Sequence, residues 1–172
     1  MELAPDGSAP TDTAGLSAWA EIDLDAIADN VAALREHAGG TPVMAVVKGD
    51  AYGHGLAHSA RAALARGASW LGVAQVAEAL DLRAAGVTAP LLSWIHVPGT
   101  DLAPAVQADI DLSAGQPWAL ASMADAARAT GRTVRVHLKV DTGLGRGGAW
   151  RGDLAGMLVD AARLEAELAH AV

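Results

Sequence analysis

The sequence predicts an α/β protein organised as an incomplete (β/α)8 barrel of the TIM type, and three observations lead there. Strand-like and helix-like segments alternate along nearly the whole chain, the pattern of repeated strand–helix units on a parallel sheet. Several of the strand-like segments are short apolar runs of the length of a buried strand. About five of them fit into 172 residues, whereas a complete barrel takes about 250. Alternation alone also permits a doubly wound sheet. The barrel is favoured by the polar residues that gather where strands end, the position at which barrel enzymes carry their chemistry.

The elements follow in order. Residues 1–18 read as a disordered tail rich in Pro, Gly, Ser and Thr, and residues 19–172 as one unit. Trp19–Leu24 (WAEIDL) alternates like a half-exposed strand. Asp25 then suits a helix cap, with Ile27, Val31 and Leu34 on one face and Gly39-Gly40 as the stop. Val43–Val47 is a buried strand, and His58–Arg66 is helical and closed by Gly67. Trp70–Ala74 is strand, Val76–Ala85 helix with Gly86 as its stop, and Leu91–Ile95 strand. Leu102–Gln107 is helical, Asp109–Ser113 a short strand, and Pro117–Thr130 a helix ended by Gly131. Val134–Val140 is strand, with Val134, Val136, Leu138 and Val140 alternating against Arg135, His137 and Lys139. A long amphipathic helix, Asp153–His170, closes the pattern.

Composition excludes several classes. A net charge of −8 leaves no basic excess for nucleic acid. The absence of cysteine rules out a disulfide framework and cysteine-based zinc sites. The first residues have neither the basic nor the apolar region of a signal peptide. No apolar run approaches the roughly 18 residues of a membrane span, so a cytoplasmic protein is expected. Of the 12 Lys and Arg residues, only Lys48 and Lys139 are lysine. Lysine can lose its proton and act as a nucleophilic amine, whereas arginine cannot, so these two mark positions where arginine would not serve.

The stretch Pro42–Gly55 (PVMAVVKGDAYGHG) places Lys48 where an apolar strand stops and the single tyrosine, Tyr52, four residues on. By itself this lysine is either a solvated strand end or an amine held at the mouth of a core. His54 and His58, four apart, have the spacing of a helical metal pair, but no nearby carboxylate completes a set, and packing in the turn and helix is the expected role. Lys139 is compatible with a plain ion pair to Asp141. Gly143–Gly148 (GLGRGG) contains a G-x-G-x-x-G after a strand and raises a dinucleotide-binding fold. That fold needs the helix to open within the glycines, yet Trp150–Asp153 delays it, and the acids about 20 residues on, Glu165 and Glu167, sit inside a helix.

Four blocks in order, WAEIDLDAIADNVAAL, VMAVVKGDAYGHG, LGVAQVAEALDLRAAG and VHLKVDTGLGRGG, together resemble the N-terminal part of the bacterial alanine racemases, from Trp19 to about His170. One departure is Gly49, where the family more often has alanine. The resemblance implies a barrel that binds pyridoxal 5'-phosphate, with the family's C-terminal β-domain absent from these residues. Lys48 corresponds to the lysine that links to the cofactor and serves as a base on one face of the substrate, and Tyr52 to the tyrosine that hydrogen-bonds the cofactor phosphate. Arg146 corresponds to the arginine that binds the substrate carboxylate, and Lys139 to a lysine often carboxylated and holding that arginine. No metal is implied. The implied reaction is interconversion of L- and D-alanine for peptidoglycan, by a homodimer whose second base is a tyrosine of the C-terminal domain. A single-domain protein that binds pyridoxal phosphate without turnover is the alternative, and the D-T-G-x-x-R arrangement favours the racemase.

Overall fold

The structure, a computed structural model, describes residues 15–169. Most of the expected tail, residues 1–14, lies outside the described residues, as do residues 170–172. Five parallel strands form one sheet: β1 (Met44–Val46), β2 (Trp70–Gln75), β3 (Leu91–Ile95), β4 (Asp111–Ala114) and β5 (Val136–Leu138). Their order is β1-β2-β3-β4-β5, so every strand lies beside its neighbour in sequence. A doubly wound sheet reverses direction at a switch point; this sheet never does, as in a barrel.

Among the described residues, seven helical segments connect and flank the strands: α1 (Leu24–His37), α2 (Lys48–Gly53, a short turn of left-handed residues), α3 (Leu56–Ala65), α4 (Val76–Ala84), α5 (Ala103–Gln107), α6 (Pro117–Thr130) and α7 (Gly152–Ala169). Pro104 and Pro117 sit in the first turns of α5 and α6, where a missing N–H costs nothing. Gly131 ends α6 in the left-handed conformation that favours glycine at that position.

Alternate strand residues set the two faces of the sheet. Leu71, Val73, Leu91, Leu112 and Ala114 point to the helices and meet Ala60, Ala79, Leu82, Val106, Leu120 and Met123, all buried. Each fully buried Leu or Val contributes about 1.5–3 kcal/mol, so this layer is the stabilising core. The opposite face is concave. The rings of Trp70 on β2 and His137 on β5 meet edge to face with centroids 5.9 Å apart, although strands three places apart lie about 14 Å from one another in a flat sheet. Gly72 leaves the space on this face that Trp94 and the Met44 sulfur fill; a Cβ there would lie 2.7 Å from the Trp94 ring.

At the N-terminal edge of the sheet, Asp111 is 1% exposed. Its carboxylate accepts from Arg135 Nε at 2.6 Å and from His137 Nε2–H at 2.8 Å. Arg83 ties adjacent loops together there by donating to the carbonyls of Val87, Ala89, Ala108 and Asp109.

Three expectations are corrected. Trp19–Leu24 is not a strand: Leu24 already belongs to α1, and the residues before it are irregular and largely exposed. A strand needs a ladder partner for its backbone groups, and none of the described residues pairs with this segment. The helix cap is Asp23, whose carboxylate accepts from Ala26 N at 2.8 Å; Asp25 lies inside the first turn. Leu34 is also exposed, because α1 packs on α3 through Val31 and Ala63. The remaining segments appear where expected, with β1, β4 and β5 shorter by one to four residues.

Candidate active site

Parallel strands send all their C-terminal ends to one edge, and Lys48 and the Asp141–Gly148 loop both lie on it. The β1 ladder holds up to the residue before the lysine, with Val47 N donating to Gly72 O at 2.9 Å. The chain then turns in the rare hand. Gly49, Asp50, Ala51 and Tyr52 have φ of 65°, 54°, 51° and 59°, with ψ between 33° and 44°. A left-handed turn costs roughly 1–2 kcal/mol for each non-glycine residue, so three such residues in a row require strong local support.

That support can be followed bond by bond. Asp50 Oδ1 accepts from Leu56 N at 2.6 Å, capping α3, while Gly55 N donates to Asp50 O at 3.0 Å. His54 Nδ1 lies 2.6 Å from Ala51 O; a carbonyl can only accept, which places the proton on Nδ1. His54 is thereby committed to the turn. Ala51 is 8% exposed, its methyl group fixed in the core. From Glu78, on the first turn of α4, one carboxylate oxygen accepts from Gly49 N at 2.5 Å. Its other oxygen accepts from Ala74 N at 3.0 Å and Gln75 N at 2.9 Å.

One turn of this hand returns Tyr52 to the lysine. The Lys48 Nζ lies 4.7 Å from the centroid of the Tyr52 ring, and the ring is 71% exposed on the rim. An amine and a phenol are thus presented together, with open space at Gly49 and Gly53 beside them.

The second group of residues follows β5. Ala149 N donates to Lys139 O at 2.7 Å and Asp141 N to Ala149 O at 3.0 Å, so the loop closes on its own strand, with Val140 and Ala149 paired. Asp141 accepts from Gly143 N at 2.9 Å and Gly145 N at 3.1 Å. These bonds from Gly143 and Gly145 hold its carboxyl below the usual carboxylate range, with the Lys139 charge a smaller contribution. The loop leaves Arg146 exposed at its turn, with no ion-pair partner among the described residues. Lys139 Nζ donates to the Gly147 carbonyl. It therefore anchors the backbone next to Arg146, rather than pairing with Asp141 or with the guanidinium. α7 opens only at Gly152, four residues after the last glycine of GLGRGG, so those glycines do not form the helix-opening turn of a dinucleotide site.

A family model for the N-terminal domain of alanine racemase matches residues 22–171. The chain belongs to the alanine racemase N-terminal domain family. It is 60% identical over 149 residues to the alanine racemase of Beutenbergia cavernae, and 54% identical over 149 residues to that of Thermobifida fusca. Each match covers 87% of this chain, and 39% and 40% of the respective relatives. Among solved structures, the alanine racemase of D-cycloserine-producing Streptomyces lavendulae superposes with a TM-score of 0.83 at 49% identity, covering 85% of this chain and 38% of that one. The Bacillus anthracis alanine racemase with bound L-Ala-P gives 0.72 at 39% identity, over 85% and 39%. The chain spans about two fifths of the length of the relatives it matches, and its fold is the unclosed part of the alanine racemase barrel.

Sequence reasoning singles out Lys48, Tyr52, Lys139 and Arg146, and the structure puts all four at the same edge of the sheet. It does not find Glu78 or the left-handed turn. The available signals were the glycines at 49, 53 and 55, and a glutamate three residues after the helix cap at Gln75.

A cavity of about 790 Å³ lies elsewhere, between α6, β5 and α7. Its lining, mainly apolar with Leu120, Met123, Val136, Leu138, Leu158 and Leu164, is on the helix side of the sheet, away from Lys48 and Arg146.

Proposed function

We propose that residues 19–172 form the cofactor-binding barrel portion of a pyridoxal 5'-phosphate-dependent alanine racemase that interconverts L- and D-alanine. The observation that carries this reading is the Lys48 amine held over the Tyr52 ring at the C-terminal end of β1, in a chain of this family. The residues fit the cofactor chemically: one primary amine for covalent attachment, and one phenol on a rigid ring able to donate a directed hydrogen bond to a phosphate. When bound, pyridoxal phosphate supplies an electron sink that acidifies the Cα–H of an attached amino acid.

The chain's own residues do the rest. Lys48 would hold the cofactor through its amine and would move the proton at Cα on one face. Tyr52 orients the phosphate. The guanidinium of Arg146 matches the substrate carboxylate with two parallel N–H donors. Lys139 steadies the loop under Arg146, and carboxylation of its amine would turn that support into an anion facing the guanidinium. Because Tyr52 is the single tyrosine and lies against Lys48, a tyrosine base for the opposite face comes from outside these residues. The bound L-Ala-P in the Bacillus anthracis relative supports an alanine-type substrate. We place the protein in the cytoplasm, as part of a homodimer providing D-alanine for peptidoglycan; among the described residues no helix is long and apolar enough to cross a membrane.

The test uses the fact that the chain has only two lysines. Incubation with pyridoxal phosphate, borohydride reduction and peptide mass spectrometry should put one label on Lys48. Lys48→Arg should remove it while Lys139 stays unlabelled. Label on Lys139 in the parent, or equal labelling of the Lys48→Arg chain, refutes the assignment.

A further inference from the structure

We infer that Glu78 is the positioning residue for Lys48, a role resting on the reading of Lys48 just proposed. As the third residue of α4, a glutamate is expected to cap its own helix, and one oxygen does so by accepting from Ala74 N and Gln75 N. A cap uses one oxygen. The other leaves the helix and crosses to the exit of the neighbouring strand, where it accepts from Gly49 N. One carboxylate therefore joins the C-terminal ends of β1 and β2 at the edge where the lysine stands.

The location of the third bond makes it a device for the lysine. Gly49 N belongs to the peptide unit that leaves Lys48, so fixing that N–H fixes the peptide plane on which the Lys48 side chain is based. Gly49 is also the first of four consecutive left-handed residues, and a run in this costly hand needs its first peptide held. At its far end the run is held by the Asp50 and His54 bonds and by buried Ala51. At its start the side-chain contact is Glu78. The result of the fixed turn is the placement of the Lys48 amine over the Tyr52 ring. Without the Glu78 bond, the entry keeps only the backbone bond from Ala51 N to Val47 O, which leaves the Lys48–Gly49 peptide plane unheld, and the amine moves off the ring. The cap on α4 does not require this contact, and the sheet register does not require it either, since Val47 N already pairs with Gly72 O.

Glu78→Gln separates the two roles. Its remaining carbonyl oxygen can still accept from Ala74 and Gln75, but its amide group then faces the Gly49 N–H donor to donor. Three readouts on the whole chain decide the matter. Two need no cofactor: amide hydrogen exchange, and the upfield ring-current shift that Tyr52 imposes on the Lys48 ε-methylene protons in NMR. The third is the rate of pyridoxal phosphate capture at Lys48, read by borohydride reduction and mass spectrometry. In Glu78→Gln, Gly49 N–H exchange should rise at least about tenfold while the Ala74, Gln75 and Leu91 amides stay protected. The ring-current shift should collapse, and capture should slow by a similar factor. If Gly49 protection and the Lys48 shift survive, Glu78 is only a helix cap and the inference is overturned. It is equally overturned if all these amides exchange faster together, because Glu78 then serves the whole domain. If the parent itself captures no cofactor at Lys48, the proposed function fails, while the exchange and ring-current readouts still decide the role of Glu78.

Discussion

Gly148→Ala should unseat the loop that carries Arg146. Gly148 has φ +125°, and a Cβ there would lie 2.6 Å from Asp141 N, 2.8 Å from the Val140 carbonyl carbon and 3.1 Å from Lys139 O. All three are backbone atoms at the exit of β5, so no side-chain rotation relieves the clash. If the loop stays in place, the strained backbone costs about 1–3 kcal/mol and the overpacking about as much again. If it lifts away, it gives up the bonds from Ala149 N to Lys139 O and from Asp141 N to Ala149 O, each worth about 0.5–1.5 kcal/mol net. The molecule takes the less costly route, so a displaced loop and a loss of about 1–3 kcal/mol are expected. In a domain of this size that lowers Tm by about 2–12 °C. Gly156→Ala is the control. It lies inside α7 with nothing within 4 Å of the added methyl group, and alanine there should stabilise by about 0.5–1 kcal/mol. Thermal unfolding followed by circular dichroism measures both, and amide exchange at Asp141 and Ala149 reports the loop. A Gly148→Ala protein that melts with the parent and keeps both amides protected would refute the reasoning.

Two further outcomes are expected at the same loop. In cofactor-loaded protein, Arg146→Lys should weaken alanine binding by more than about tenfold, because a point charge replaces a fork making charge-assisted bonds worth about 1.5–3 kcal/mol; an unchanged affinity by titration would place the carboxylate elsewhere. The depressed pKa of Asp141 sets a pH dependence. A carboxyl whose folded pKa is lowered contributes order above its unfolded value of about 3.9 and loses it as pH falls through the folded value. The Gly143 and Gly145 amide resonances should therefore hold steady from neutral pH to about 4 and shift together only in stronger acid. Asp141→Asn should abolish that acid transition, and its persistence in the variant would assign it to another carboxyl.

Much of this protein was determined by local sequence. Apolar runs of strand length, the glycine stops at Gly67, Gly86 and Gly131, and the alternation of strand with helix specify the elements and the parallel sheet, because propensity, periodicity and turn chemistry act over a few residues. Lys48 and Lys139 stood out as the two lysines near strand ends, whereas the roles of Lys48, Tyr52, Lys139 and Arg146 were expected only from the resemblance to the alanine racemases; parallel strands bring all four to one edge whatever the details of packing. What the sequence left undetermined depends on groups far apart in the chain. Trp19–Leu24 alternates like a strand but needs a partner ladder, which alternation cannot supply. The left-handed run from Gly49 to Tyr52 opposes the intrinsic preference of Asp, Ala and Tyr. In the folded chain a carboxylate 29 residues away accepts from Gly49 N, and Ala51 is seated in the core. Lys139 could have met Asp141, two residues on, but the loop closure between Lys139 and Ala149 brings the Gly147 carbonyl to its amine first. Local preference is worth tenths of a kcal/mol to about 2 per residue. Tertiary structure overrides it only where buried side chains and hydrogen bonds from distant elements converge, as they do beside Lys48.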